Sequence, residues 1–228
     1  MLDQVTANRL VEWALQHPLV SALSIVASLL LIGMALGTWS KRRRSDTFLS
    51  AFEKSMGGTP LLLRRPDRRG FIVAIRSQVE PFLELKLRHE AVSYLDPRDL
   101  FTLIPKGIVD QVIIEATLLH PPHAELIWHR GHIPRRALGA PGDAGLWVRR
   151  RLDIISSEYV VRGSNTRAIE HSLLDLQNRF GPFMQRVTIQ ADIAPHLEIV
   201  LHSSRLSAEE VPALLHLVQG AGRASLLR

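Results

Sequence analysis

The residues best suited to chemistry in this chain are histidines. His120-Pro-Pro-His123 and His129-Arg-Gly-His132 make two HxxH units, and imidazole nitrogens so spaced can ligate zinc, copper or a related ion. Geometry opposes a shared ion. Pro121-Pro122 reads as the bend of a hairpin, which puts His129, six residues beyond His123, about 20 Å away along a strand. No Asp or Glu is placed as a fourth ligand, so His120, His123, His129 and His132 are expected at the surface or in hydrogen bonds, with no metal and no other cofactor. His171 and His216 fall within helical segments, where packing or surface exposure is the default.

Other catalytic signatures are missing. The chain has no Cys, which removes disulfides, thiolate metal sites, iron–sulfur clusters and cysteine nucleophiles. It has no GxSxG elbow, no GxxxxGK[ST] phosphate loop and no HExxH. The glycines between Gly139 and Gly145 lack the strand-turn-helix setting of a dinucleotide fingerprint. Asp96 with Asp99, and Glu209 with Glu210, read as turn and helix-cap residues. The expectation is a non-catalytic protein.

The elements around these residues say more. The 228 residues, 46% hydrophobic and 6% aromatic, fit one globular domain plus an additional segment and exclude disordered, collagenous and coiled-coil chains. Between Glu12 and Lys41 there is no Asp, Glu, Lys or Arg, and Leu19 to Trp39 is an apolar run of 21 residues, about 31 Å as a helix. Ten of these are Leu, Ile or Val, each favouring insertion by roughly 0.3 to 0.6 kcal/mol. The run is too long for the core of a signal peptide. A single transmembrane helix is predicted over 18–40.

Its flanks set its direction. Lys41-Arg42-Arg43-Arg44 follows it directly, whereas Asp3, Arg9 and Glu12 precede it. That bias puts residues 1–17 outside and 41–228 in the cytoplasm. Trp13 and Trp39 bracket the run at headgroup level. Thr6 to Gln16, with Leu10, Val11, Ala14 and Leu15 on one face, is expected to lie on the outer interface. Within the helix, Gly33 and Gly37 form a small-xxx-small pair preceded by Ser24 and Ser28 at the same interval, a flat strip on which another subunit's helix can pack.

The formal net charge is +6, with a pI near 10.4. Residues 41–70 hold nine bases against three acids, and the rest of the chain sums to zero. The basic character is therefore juxtamembrane, suited to anionic lipid headgroups. A nucleic-acid groove would need bases spread over a folded face with aromatic platforms, and Arg64-Arg65 and Arg68-Arg69 have none between them. No nucleic-acid partner is expected. Ser45 to Met56, with Phe48, Leu49, Phe52 and Met56 on one stripe, is an amphipathic helix. The expected setting is the inner headgroup layer, with Lys41, Arg42, Arg43, Arg44, Trp39, Phe48 and Phe52 as lipid contacts. Continuation of the membrane helix or packing on a partner are the other settings open to it.

From residue 71 the period changes. Strand-like alternation occupies 71–75, 82–88, 109–119, 125–130, 146–154 and 158–162, with turn residues between. A helix over 165–180, strands over 186–190 and 197–202, and a final helix opened by the capping box Ser207-Ala-Glu-Glu210 complete the chain. This order predicts an α+β domain over 71–228 with a largely antiparallel sheet and two helices in its C-terminal half.

Residues 153–220 carry a strand ending in Val-Arg-Gly, a helix, a hairpin and a closing helix. They resemble the C-terminal module of uncharacterised bacterial single-pass membrane-anchored proteins. The resemblance implies a bacterial, cytoplasm-facing domain and assigns no functional residue. Together these features predict an accessory or scaffolding subunit of a large inner-membrane complex, whose partners are other membrane subunits and anionic lipids. Respiratory and photosynthetic reaction-centre complexes use subunits of this architecture, an analogy of form alone. A lipid-surface protein without a fixed partner, and an enzyme whose site is assembled from residues remote in sequence, are the alternatives.

Overall fold

Uncharged residues dominated by Leu and Ala propagate a helix from Leu19 despite the β-branched Val20, Ile25, Val26 and Ile32, and no proline interrupts them after Pro18. The computed structural model describes residues 16–56, 60–67, 70–75, 80–104, 109–138, 146–152, 157–192, 194–203 and 206–227. In it, helix α1 runs unbroken over Pro18–Met56. The amphipathic stretch expected over 45–56 is therefore continuous with the apolar helix. Trp13, residues 6–15 of the interfacial segment and the glycine loop 139–145 lie outside the described residues.

The described residues divide into two compact units. One holds the residues up to Ser40 together with Val92–Ile108, and the other holds Lys41–Ala91 and Val109–Arg228. The segment expected as a separate juxtamembrane piece over 41–70 thus belongs to the same unit as the sheet.

That larger unit is an α+β domain. Its nine strands are β1 (Pro60–Asp67), β2 (Gly70–Ile75), β3 (Phe82–Glu90), β4 (Gln111–Leu118), β5 (Ala124–His129), β6 (Val148–Leu152), β7 (Ser157–Gly163), β8 (Met184–Ile189) and β9 (Leu197–His202). They form one sheet in the order β1-β2-β3-β4-β9-β8-β5-β7-β6, and every neighbouring pair is antiparallel. Besides α1, the described helices are α2 (Pro97–Thr102), α3 (Thr166–Phe180) and α4 (Val211–Ser225).

Alternation sends one row of each strand to a single face. Phe71, Val73 and Ile75 of β2, Leu85 and Leu87 of β3, Val112, Ile114 and Ala116 of β4, and Leu197, Ile199 and Leu201 of β9 join one core with the helices. From α3 come Ile169, Leu173, Leu176 and Phe180, and from α4 Val211, Leu214, Leu215 and Val218. The capping box that opens the last helix is present, with Ser207 and Glu210 each bonded to the other's backbone. On the opposite face, Ile127, Ile133 and Val160 form a small second cluster beside Trp147. Elsewhere that face carries ion pairs, such as Lys86 with Glu115 at 3.7 Å and Arg186 with Glu198.

Two elements escape the sequence pattern. Strand β1 reads Leu61-Leu62-Leu63-Arg64 without alternation, yet it pairs with β2 from Pro60↔Ile75 onward. Its register on β2 shifts between Leu62 and Arg64 and again between Arg64 and Asp67, and such irregularities interrupt the period-2 alternation of an edge strand. Helix α2 is six residues long, too short to show a helical period.

Candidate functional site

Within the larger unit, the α1 residues at i, i+3 and i+4 steps from Lys41 turn inward. Lys41, Ser45, Phe48 and Phe52 are all buried. This corrects the expected headgroup setting: Phe48 and Phe52 belong to the domain core, because the apolar stripe finds a sheet to cover before it needs a lipid surface. Of the basic run, Lys41 is buried and Arg44 is ion-paired with Asp110, while Arg42 and Arg43 are exposed.

This docking closes a polar cluster that no sequence motif announces. His89 continues the inward row of β3 two residues beyond Leu87, and Asp110 and Ser203 sit at the adjoining ends of β4 and β9. The register sets them side by side: His89 pairs with Val112 and Gln111 with His202, and the Ser203 amide donates to the Asp110 carbonyl at 3.0 Å. His89 Nδ1 lies 3.0 Å from Ser45 Oγ, and Nε2 lies 3.3 Å from Ser203 Oγ. Asp110 Oδ1 is also 3.3 Å from Nε2, without the alignment of a hydrogen bond. The rings of Phe48 and Phe71 pack over His89, with centroids 5.3 and 5.7 Å away. Burial alone would raise the Asp110 pKa, but the His89 ring, the Ser203 hydroxyl and the Arg44 charge outweigh it and hold the carboxyl below its ordinary value.

Hydroxyl, imidazole and carboxylate are the group types of an activated nucleophile, its base and its orienter. Here they are sealed. Ser45 and His89 are 0% exposed and Ser203 is 1%, so no substrate atom can come within about 3 Å of either hydroxyl in this conformation. What the cluster does is tie α1 to three strands through one buried network. Its signal in the sequence is slight: a histidine where the period-2 row of β3 calls for an apolar residue.

A groove of about 580 Å³ elsewhere in the larger unit is lined by Asp46, Thr47, Ser50 and Lys54 of α1 and by Glu209 and Pro212, and by no member of the cluster. Its lining mixes charged, hydroxyl and apolar side chains and includes no histidine.

The smaller unit is apolar outside and polar within. The strip expected to receive another subunit's helix is covered by this chain's own segment. A Cβ on Gly37 would stand 2.7 Å from Asp96 Cβ and 2.8 Å from its backbone nitrogen, and one on Gly33 would stand 3.1 Å from the Leu95 carbonyl oxygen. Ser24 and Ser28 are exposed, and their hydroxyls donate to the Val20 and Ser24 carbonyls at 2.8 Å. They extend no packed strip. Trp39 is exposed.

Asp96 caps α2, accepting from the Arg98 amide at 3.1 Å and from Arg98 Nε at 2.9 Å. Arg98 Nη2 donates to Thr38 Oγ1 at 2.8 Å, and Asp99 accepts from the Ser93 amide at 2.9 Å. Asp96 and Asp99 are both buried.

The histidines of the two HxxH units stay dispersed. His120, His123 and His132 are exposed and His129 is half-buried on β5. Burial, aided by Arg186, lowers the His129 pKa against the opposing pull of Glu198. Among the described residues no three His, Asp or Glu side chains converge as metal ligands. No protein-family profile matches the chain, and no curated protein matches it significantly.

Proposed function

We propose that this chain is a single-pass, membrane-anchored accessory or scaffolding subunit of a large bacterial inner-membrane complex, non-catalytic, with its N-terminus outside and its α+β domain in the cytoplasm. The observation that carries the proposal is the first half of α1. The helix is long and apolar enough to cross a bilayer, and none of its 18-residue apolar window is buried within the chain. Leu19 is 80% exposed, and Leu23, Leu29 and Leu31 are each more than half exposed. Water does not support so large an apolar surface, whereas a hydrocarbon slab does. The same helix runs on into the domain without a break.

Several features favour a protein-docking role over recognition of lipid alone. Phe48 and Phe52 are used internally, and two members of the basic run are turned into the domain. The residues from 71 onward are nearly neutral. The edge strand β1 exposes Leu61 and Leu63, an unpaired border of the kind that another chain covers.

The deciding measurement is particle size after purification from membranes in mild detergent, with identification of whatever accompanies the chain. A large particle of fixed stoichiometry is the expected result. A single small micelle containing this chain alone would instead support a lipid-surface protein without a fixed partner.

A further inference from the structure

We infer that residues 94–102, carrying α2, form a second membrane contact: a short segment clasped to α1 that inserts its outer face among the acyl chains of the leaflet nearer Ser40. The inference rests on the membrane reading of α1 proposed above. It adds a lipid-binding surface in a stretch whose sequence reads only as turns.

Three observations carry it. First, Tyr94, Leu95, Leu100 and Phe101 are exposed, Tyr94 and Phe101 by 72% each. They lie within the same compact unit as the uncovered apolar face of α1. Second, the segment is seated at a definite level. It rests on Gly33 and Gly37, six and two residues before Trp39, which is about 9 and 3 Å along a helix axis on the apolar side of that indole. That places it in the upper acyl region if Trp39 marks the headgroups.

Third, the carboxylates of the segment are enclosed and satisfied inward. Asp96 and Asp99 are buried and accept from Arg98 and Ser93, Arg98 reaches back to Thr38, and the Leu100 and Leu103 amides donate to the Asp96 and Asp99 carbonyls. A surface turn in water has no need to enclose its carboxylates while turning out a phenyl ring. A segment in hydrocarbon does, because unsatisfied polar groups there cost several kcal/mol each.

The chain has no Cys, which opens a direct test on the full-length protein. Leu29→Cys, Tyr94→Cys, Phe101→Cys and His171→Cys are made singly, each at an exposed side chain, and the proteins are reconstituted in vesicles of phosphatidylcholine and phosphatidylglycerol. Each is probed with a membrane-impermeant maleimide added on both sides of the bilayer and, after bimane labelling in detergent, with a nitroxide-bearing lipid quencher. The expected result is that positions 29, 94 and 101 resist the maleimide and lose emission to the lipid quencher, while position 171 does the reverse.

Quenching at 29 with free maleimide reaction at 94 and 101 would overturn the insertion and leave the anchor intact. Free reaction at 29 would overturn the anchor reading and this inference with it. Protection of 94 and 101 from both reagents would overturn the inference in favour of a covering protein, this chain's second copy included.

Discussion

Gly37 shows how much a single residue can decide. Its Cβ position is occupied by the backbone of Asp96, so Gly37→Leu must push the 92–104 segment away from α1. Overpacking of this kind costs about 1–3 kcal/mol. The expected outcome in detergent is faster tryptic cleavage at Arg98, about fivefold or more if cleavage follows the opened population, with domain melting unchanged. Asp110 works at the same scale through charge. Its folded pKa lies below the ordinary value, so it contributes stability above the unfolded pKa of about 3.9, and that contribution is lost as pH falls through the folded pKa. Asp110→Asn, which leaves the His89 network and Arg44 without their carboxylate, is expected to cost about 1–3 kcal/mol at pH 7. The gap in melting temperature between variant and parent should close as pH falls below 4. Circular-dichroism melts at pH 7 and pH 3 check the sign.

Among elements, the second half of α1 has the role most at odds with its sequence. Phe52 is wholly buried and Phe48 nearly so, so Phe52→Ala should cost about 3–5 kcal/mol. Exposed Lys54→Ala on the same turns should stay within about 0.5 kcal/mol. Equal, small effects in thermal unfolding of the full chain would return the stripe to the lipid surface. The strands and helices from residue 71 were mostly legible, because alternation in β2, β3 and β4 and the 3.6-residue spacing of Ile169, Leu173, Leu176 and Phe180 report burial locally. Strand β1 and helix α2 were not legible. One is an edge strand whose register shifts twice along its partner, and the other is shorter than two turns, so both owe their form to what they pair with or rest upon.

The charge of the whole molecule changes meaning once it is folded. The bases of 41–70 supply the full +6, yet Lys41 is buried and Arg44 is paired with Asp110, so fewer of them are turned outward than the sequence suggests. If the chain is an accessory subunit, its release from membranes should depend weakly on salt, since exposed charges are screened over about 8–10 Å and protein contacts with an apolar helix are not. A salt wash that strips the chain from vesicles or native membranes would contradict both the anchor and the subunit reading.

By itself the sequence determined the apolar run from Leu19 to Trp39, the location of the positive charge, the α+β order and the capping box at Ser207. All of these are written in short-range spacing, over stretches where neighbouring residues sense one another directly. Only the tertiary structure decided that Phe48 and Phe52 face a core and that Gly33 and Gly37 are covered by residues 95–97. It alone decided that Ser45, His89, Asp110 and Ser203 meet. Ser45 and His89 are 44 positions apart and His89 and Ser203 are 114 apart, so their meeting depends on strand register and on which surface an amphipathic stripe reaches first. No local periodicity encodes either.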